Sequence, residues 1–323
     1  MKLSFSTIVR AFVSIVLILL LLYVMRGKYG QILSVLKGTD TPVFLTGLLV
    51  YMGAILLASV RLKLIAGAQS IAMTASDAIS LTYIGYFFNN FLPTSIGGDV
   101  VKAYYLSKRN TEKTGSYTSV FIDRAIGLVT MILMAFVALF FAGSGIVEKP
   151  VKYMIYAITA ISAAGVIFLL NERFARKFSA LLSIVRPIEN QLKKAYRAIN
   201  SYRHHTLLII QTLAISIASQ LLFFASMGIL TRSIGSAISG MNLLLRMPII
   251  SMMSLLPSIN GLGLREGATV LLFGPLIGKA NAFAVSILVI VMLLATSLIG
   301  GVIYAVSPQF KVKLKDLDKE TDI

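Results

Sequence analysis

No cysteine and no tryptophan occur among the 323 residues. Without cysteine there is no disulfide framework, no thiolate nucleophile and no Cys-ligated metal. Without tryptophan, any aromatic belt at a membrane interface falls to the 13 Tyr and 18 Phe. Histidine is nearly missing too. His204 and His205 lie in a basic stretch with no acidic neighbour in sequence, which reads as a surface pair rather than a zinc site. The sequence also lacks a His-Glu-x-x-His pair, a Walker loop and a G-x-S-x-G elbow. Residues 261–267 place one residue too many between their glycines for a dinucleotide fingerprint. No cofactor is implied.

Charge is the other scarcity. Only 13% of residues are charged, against about 25% in a soluble domain. What fills the space is apolar: 57% of residues, with a mean hydropathy of +0.86. This composition is that of an all-α, polytopic integral membrane protein. The net charge of +17 comes from Lys and Arg set between apolar runs. That placement points to topology signals and an anionic lipid surface, not to nucleic acid. The basic start and apolar run 11–25 lack a small-residue cleavage site, so an uncleaved first helix is expected.

A crossing helix needs about 20 apolar residues. Runs at 8–25, 42–60, 116–142, 151–170, 207–230 and 281–306 qualify. Two further regions, 71–109 and 241–278, are apolar but interrupted by Leu-Pro segments rich in glycine, whose prolines Pro93 and Pro257 lie half a chain apart. Paired interruptions of this kind point to a midplane site in a protein built from repeats. The arms are short: 78–92 makes about 22 Å of helix and 99–107 about 13 Å, at about 1.5 Å per residue. Neither crosses a core of about 30 Å. Two topologies remain open, re-entrant hairpins or single crossings with an unwound middle. Arm length favours re-entrance for the first, and charge placement favours it for the second. With two hairpins and both termini cytoplasmic at the plasma membrane, only Arg26, Lys28, Lys37, Lys149, Lys152, Arg232 and Lys279 lie outside, and Arg61 and Lys63 fall in an inner loop. The expected organisation is one membrane domain over 1–308, with halves of roughly 1–150 and 151–308 related as an inverted repeat. An amphipathic cytoplasmic connection at 171–206 would lie against anionic lipid, or be a plain topogenic loop. A charged tail spans 309–323.

Ionisable residues at membrane depth are functional candidates by default. They are Asp99, Lys102, Asp123, Arg124, Arg246, Arg265 and Glu266. Asp99 and Lys102 share a helix face, and Arg265 and Glu266 open the helix after the second break. Asn90, Pro93, Gly97 and Gly98 at one break, with Pro257, Gly261 and Gly263 at the other, would keep backbone N–H groups open to an anion. Together with Lys102, Arg124 and Arg265 these make a cradle for a phosphate, with Asp99, Asp123 and Glu266 organising the bases. Each ionisable group also has a structural reading. Asp99 would cap its helix, Asp123-Arg124 would be an ion pair locking helices, Arg246 would snorkel to the outer surface, and Asp77 would cap.

The runs Asn89-Asn90-Phe91-Leu92-Pro93 … Gly97-Gly98-Asp99-Val100-Val101-Lys102, then Asp123-Arg124-Ala125-Ile126-Gly127, then Leu256-Pro257 … Gly261-Leu262-Gly263-Leu264-Arg265-Glu266-Gly267 resemble, in order and spacing, the lysylphosphatidylglycerol synthase transmembrane-domain family, or flippase-like domain proteins. The resemblance covers nearly the whole chain. It implies a lipid flippase-like transporter for an aminoacylated phospholipid or a polyprenyl-phosphate-linked sugar. Its partners would be an anionic-headed lipid, a lipid-modifying synthase or glycosyltransferase, and a second copy of the chain. Two departures stand out. Lys102 replaces a common Arg, keeping charge but losing bidentate phosphate geometry. The soluble synthase domain has no counterpart, so the translocation module alone is expected. A membrane-embedded enzyme or accessory subunit and a small-ion or solute transporter are the alternatives.

Overall fold

The computed structural model describes residues 5–91, 97–108, 113–142, 147–170, 202, 205–256, 258 and 260–307. The connection expected at 171–206, apart from 202, 205 and 206, and the tail at 309–323 lie outside the described residues.

The described residues are helical throughout, and six spans are long and apolar enough to cross a membrane. The first begins in α1 (Phe5–Met25) and continues through a 3-10 turn into α2 (Tyr29–Lys37). The others are α3 (Thr41–Gly67), α6 (Lys113–Phe141), α7 (Lys149–Leu170), α8 (Thr206–Arg232) and α11 (Lys279–Val306). Four shorter helices are the expected arms: α4 (Ala75–Phe91), α5 (Gly97–Ser107), α9 (Gly240–Met253) and α10 (Leu264–Ile277). Polar side chains fix several starts. Asp40 accepts from the N–H of Val43 ahead of α3, with Pro42 in the first turn. Thr74 and Asp77 cap α4 reciprocally, Asp77 accepting from the Thr74 N–H and Thr74 from the Asp77 N–H.

The most extensive packing joins α3 to α8. Small residues allow the close approach that drives helix association in lipid. Gly47 meets the backbone of Ser226, and the Ser219 hydroxyl donates to the Ala54 carbonyl at 2.9 Å. At one end the Asp40 N–H donates to the Ser233 carbonyl; at the other Arg61 reaches Ser216. The start of α3 therefore lies beside the end of α8, and the two helices are antiparallel.

The arms do not continue one another. Gly98 of α5 packs so closely on Gly85 of α4 that a methyl at Gly98 would overlap the Gly85 carbonyl, and Lys102 crosses the same glycine. Across the second pair, Arg246 of α9 donates to the Leu272 carbonyl of α10 at 2.9 Å. Both are folded-back hairpins, which settles the geometry left open for 71–109. The first follows the end of α3 and the second the end of α8. Because those helices run oppositely, the hairpins enter from opposite ends of the bundle. The packing pattern is nearly unchanged when α3–α6 are exchanged with α8–α11: α4 lies on α11 and α9 on α6, α5 on α6 and α10 on α11.

Candidate functional site

The first hairpin brings three ionisable groups together. Asp99 occupies the first turn of α5, and its carboxylate accepts from the Lys102 ammonium at 3.1 Å and from the Arg124 guanidinium of α6. Asp99 and Lys102 are each only 9% exposed, so in a low-dielectric interior their charges need each other. Among the described residues, Asp99 accepts from no backbone N–H of its own helix. The orphan N–H of Gly98 is taken instead by the Asn89 side chain across the hairpin at 2.7 Å. Asp99 is left to the two cations.

Asp123 and Arg124 are not an ion pair with each other. Adjacent residues on a helix point about 100° apart, and here they serve different partners. Asp123 accepts from Arg61 of α3 at 2.7 Å, and Arg61 also donates to Ser216 of α8 at 2.9 Å. The guanidinium lies against Gly127, one turn along from Asp123, where a side chain would press on it. Gln220 of α8 donates to the Gly127 carbonyl at 3.3 Å. Asp123 and Gly127 thus face the α3/α8 pair, whereas Arg124 faces α5. Arg61 itself is a buried residue of α3 (7% exposed), not part of an inner loop.

The second hairpin closes on itself. Asn260, Gly261 and Gly263 all have positive φ (46°, 76° and 85°). The turn they form lets Glu266 accept the Gly263 N–H at 2.6 Å, while its other oxygen accepts from Arg265 at 2.7 and 3.0 Å. Asn260 then donates to the side chain of Asn90, whose own amide donates to the Leu293 carbonyl of α11 at 3.2 Å. The inner ends of the two hairpins meet through this pair. Pro93 and Pro257 lie outside the described residues.

Two separate hollows flank these clusters, with no lining residue in common. A central cavity of about 190 Å³ lies between the hairpins, lined by Tyr51, Tyr86, Asn89, Asn90, Phe223, Met227, Met247, Ile250, Ser251, Ser254, Asn260, Arg265, Thr269, Phe273, Val285, Ser286, Val289, Met292 and Leu293. A wider groove of about 520 Å³ runs between α5, α6 and α7. Asp99 and Arg124 are its charged lining among the described residues; the rest is overwhelmingly apolar, including Val100, Phe121, Leu128, Ile132, Ile161 and Val166. Val100, Phe121 and Ile161 are exposed, so the groove opens on the side of the bundle. The single cradle expected for Lys102, Arg124 and Arg265 does not form. Arg265 belongs to the cavity and Arg124 to the groove, and Lys102 and Asp123 line neither.

Arg246 does not snorkel outward. It is 2% exposed, and beyond Leu272 it donates to Glu148, just ahead of α7, at 2.6 Å. This hydrogen bond holds the Glu148 carboxyl below its ordinary value of 4.5. A depressed carboxylate contributes stability above its unfolded pKa and loses it as pH falls through the folded one. Thermal unfolding in detergent should therefore show the wild type more stable than Glu148→Gln at neutral pH. The gap should close as pH drops below 4.5. A gap independent of pH would leave the pair without a role in stability.

Sequence reasoning missed Arg61, Ser216, Asn89 as a cap, Glu148 and the apolar wall from α6 and α7. One signal for Arg61 was present: Gly47, Ala54 and Arg61 recur every seven residues, one face of a helix.

Residues 8–301 match the family model described as the lysylphosphatidylglycerol synthase TM region, that is, the membrane region and not the catalytic synthase domain. No curated protein and no solved structure matches the chain.

Proposed function

This chain belongs to the lysylphosphatidylglycerol synthase TM region family, and on that premise we propose that it moves a phosphate-bearing lipid between leaflets. The observation that carries the reading is the groove. Arg124, held by Asp99, stands in an opening that is otherwise aliphatic and aromatic and faces the side of the bundle. A cation beside an apolar trough matches an amphiphile with an anionic phosphate and long tails. It suits neither a small ion nor a water-soluble solute, which would leave the trough unused. Arg124 meets the phosphate as the lipid enters sideways, and the tails stay along α6 and α7. The head group then passes toward the cavity between the hairpins, where backbone and polar side chains replace water.

The test is reconstitution in liposomes with a fluorescent phospholipid, scored by chemical quenching of the outer leaflet. Arg124→Gln should slow transbilayer movement about tenfold while the protein unfolds at nearly the wild-type temperature, because Arg124 is partly exposed (side chain 28%). Wild-type movement by Arg124→Gln would remove the groove from the pathway.

A further inference from the structure

The central cavity differs chemically from the groove, and its inventory bears on the head group. Among the described residues, Arg265 is the only lining side chain charged at neutral pH. Its Nε and Nη2 donate to Glu266, which leaves Nη1 with no partner among the described residues. Glu266 does not line the cavity, and both its oxygens are engaged, one by Arg265 and the other by the Gly263 N–H. Three amides, Asn89, Asn90 and Asn260, line the same cavity. The hydroxyls of Thr269 and Ser286 donate to carbonyls of their own helices, at 2.8 and 2.7 Å, and so offer acceptor lone pairs. Tyr51 and Tyr86 supply flat apolar faces beside these groups.

We infer that this cavity is a head-group site for phosphate lipids bearing an uncharged, polyhydroxylated head, a glycosyl or polyol phosphate, and that it discriminates against aminoacylated heads. The inference rests on the transport reading above and narrows its substrate class. A polyol is both donor and acceptor at each hydroxyl, which matches a cavity lined by amides and acceptor hydroxyls together. The phosphate meets the outward N–H groups of Arg265. An aminoacyl head brings an ammonium beside Arg265 with no carboxylate among the described lining residues to receive it, and a like charge in a low-dielectric cavity is strongly disfavoured. Size agrees. About 190 Å³ is roughly six water volumes, room for a single ring or a glycerol.

The experiment uses the full chain in nanodiscs of a zwitterionic lipid. Phosphatidylinositol, phosphatidylglycerol and lysylphosphatidylglycerol, with matched acyl chains, compete for binding read by native mass spectrometry. The two uncharged polyol heads should bind at least about tenfold tighter than the lysyl head. Arg265→Gln should shrink that ratio, and Thr269→Val should weaken phosphatidylinositol alone. A lysyl lipid that binds as tightly as phosphatidylglycerol overturns the assignment, as does a ratio unchanged in both variants. Liposome transport is scored in parallel. If the binding ranking holds but no lipid crosses, the transport reading fails and the site stands. If the lysyl lipid crosses fastest, transport stands and the head-group assignment fails.

Discussion

Asp123→Leu, with Arg61 left in place, should cost about 3–5 kcal/mol of stability, the range for removing one partner of a buried ion pair. The reason is the partner left behind. Arg61 is 7% exposed and sits deep in the α3/α8/α6 junction, with Gly127 against one side and Ser216 as its other acceptor. Without Asp123 it keeps one neutral hydrogen bond for a full charge. Polar contacts between membrane helices average only about 0.6 kcal/mol, so the hydroxyl of Ser216 cannot hold it. Arg61→Met/Asp123→Leu should recover most of the loss, since replacing a buried pair by apolar residues of similar volume is often neutral or better. Unfolding in mixed micelles with increasing denaturing detergent reads both variants. If the single variant unfolds with the wild type, the pair carries little of the junction. If the double variant is as damaged as the single, the site depends on shape rather than charge.

The architecture was legible in the sequence because its signals are strong and local. Six apolar runs of crossing length and two interrupted ones follow from the requirement that backbone polar groups be satisfied inside lipid. The first hairpin was legible from the length of its arms and the second from charge placement. Pairings between distant helices were not. Asp123-Arg124 reads as one unit along the chain, yet a helix sends the two side chains to opposite neighbours, and only the packing of α3 and α8 reveals which. Arg61 and Arg246 show the same difficulty from the other side. Each is a lone cation near the end of an apolar run, a pattern that snorkelling residues and buried pair members share. The difference lies in a carboxylate 62 positions away for Arg61 and 98 away for Arg246. The candidate residues at the two breaks were visible as a set, but their division between a cavity and a groove depends on which face of α5, α6 and α10 each one occupies.

That division gives Asp99 two separable tasks. Asp99→Asn preserves shape but leaves Lys102 and Arg124 as like charges around a neutral amide. Lys102 is the harder problem. It is 9% exposed and crosses Gly85 inside the hairpin. Arg124 is partly exposed at the groove and can turn outward. Asp99→Asn should therefore lower stability and reduce lipid movement by at least about tenfold, as Arg124→Gln should. Adding Lys102→Met in the same chain removes the stranded ammonium and should return thermal unfolding close to the wild type. Lipid movement should stay low, because the Asp99 carboxylate no longer holds Arg124 at the groove. Unfolding in detergent and transbilayer movement in liposomes, measured on the same preparations, separate the two tasks. Recovery of both by the double variant would reduce Asp99 to a counter-ion for Lys102 and take the aiming of Arg124 out of the mechanism. Recovery of stability alone is the result that the shared carboxylate, with one oxygen on each cation, predicts.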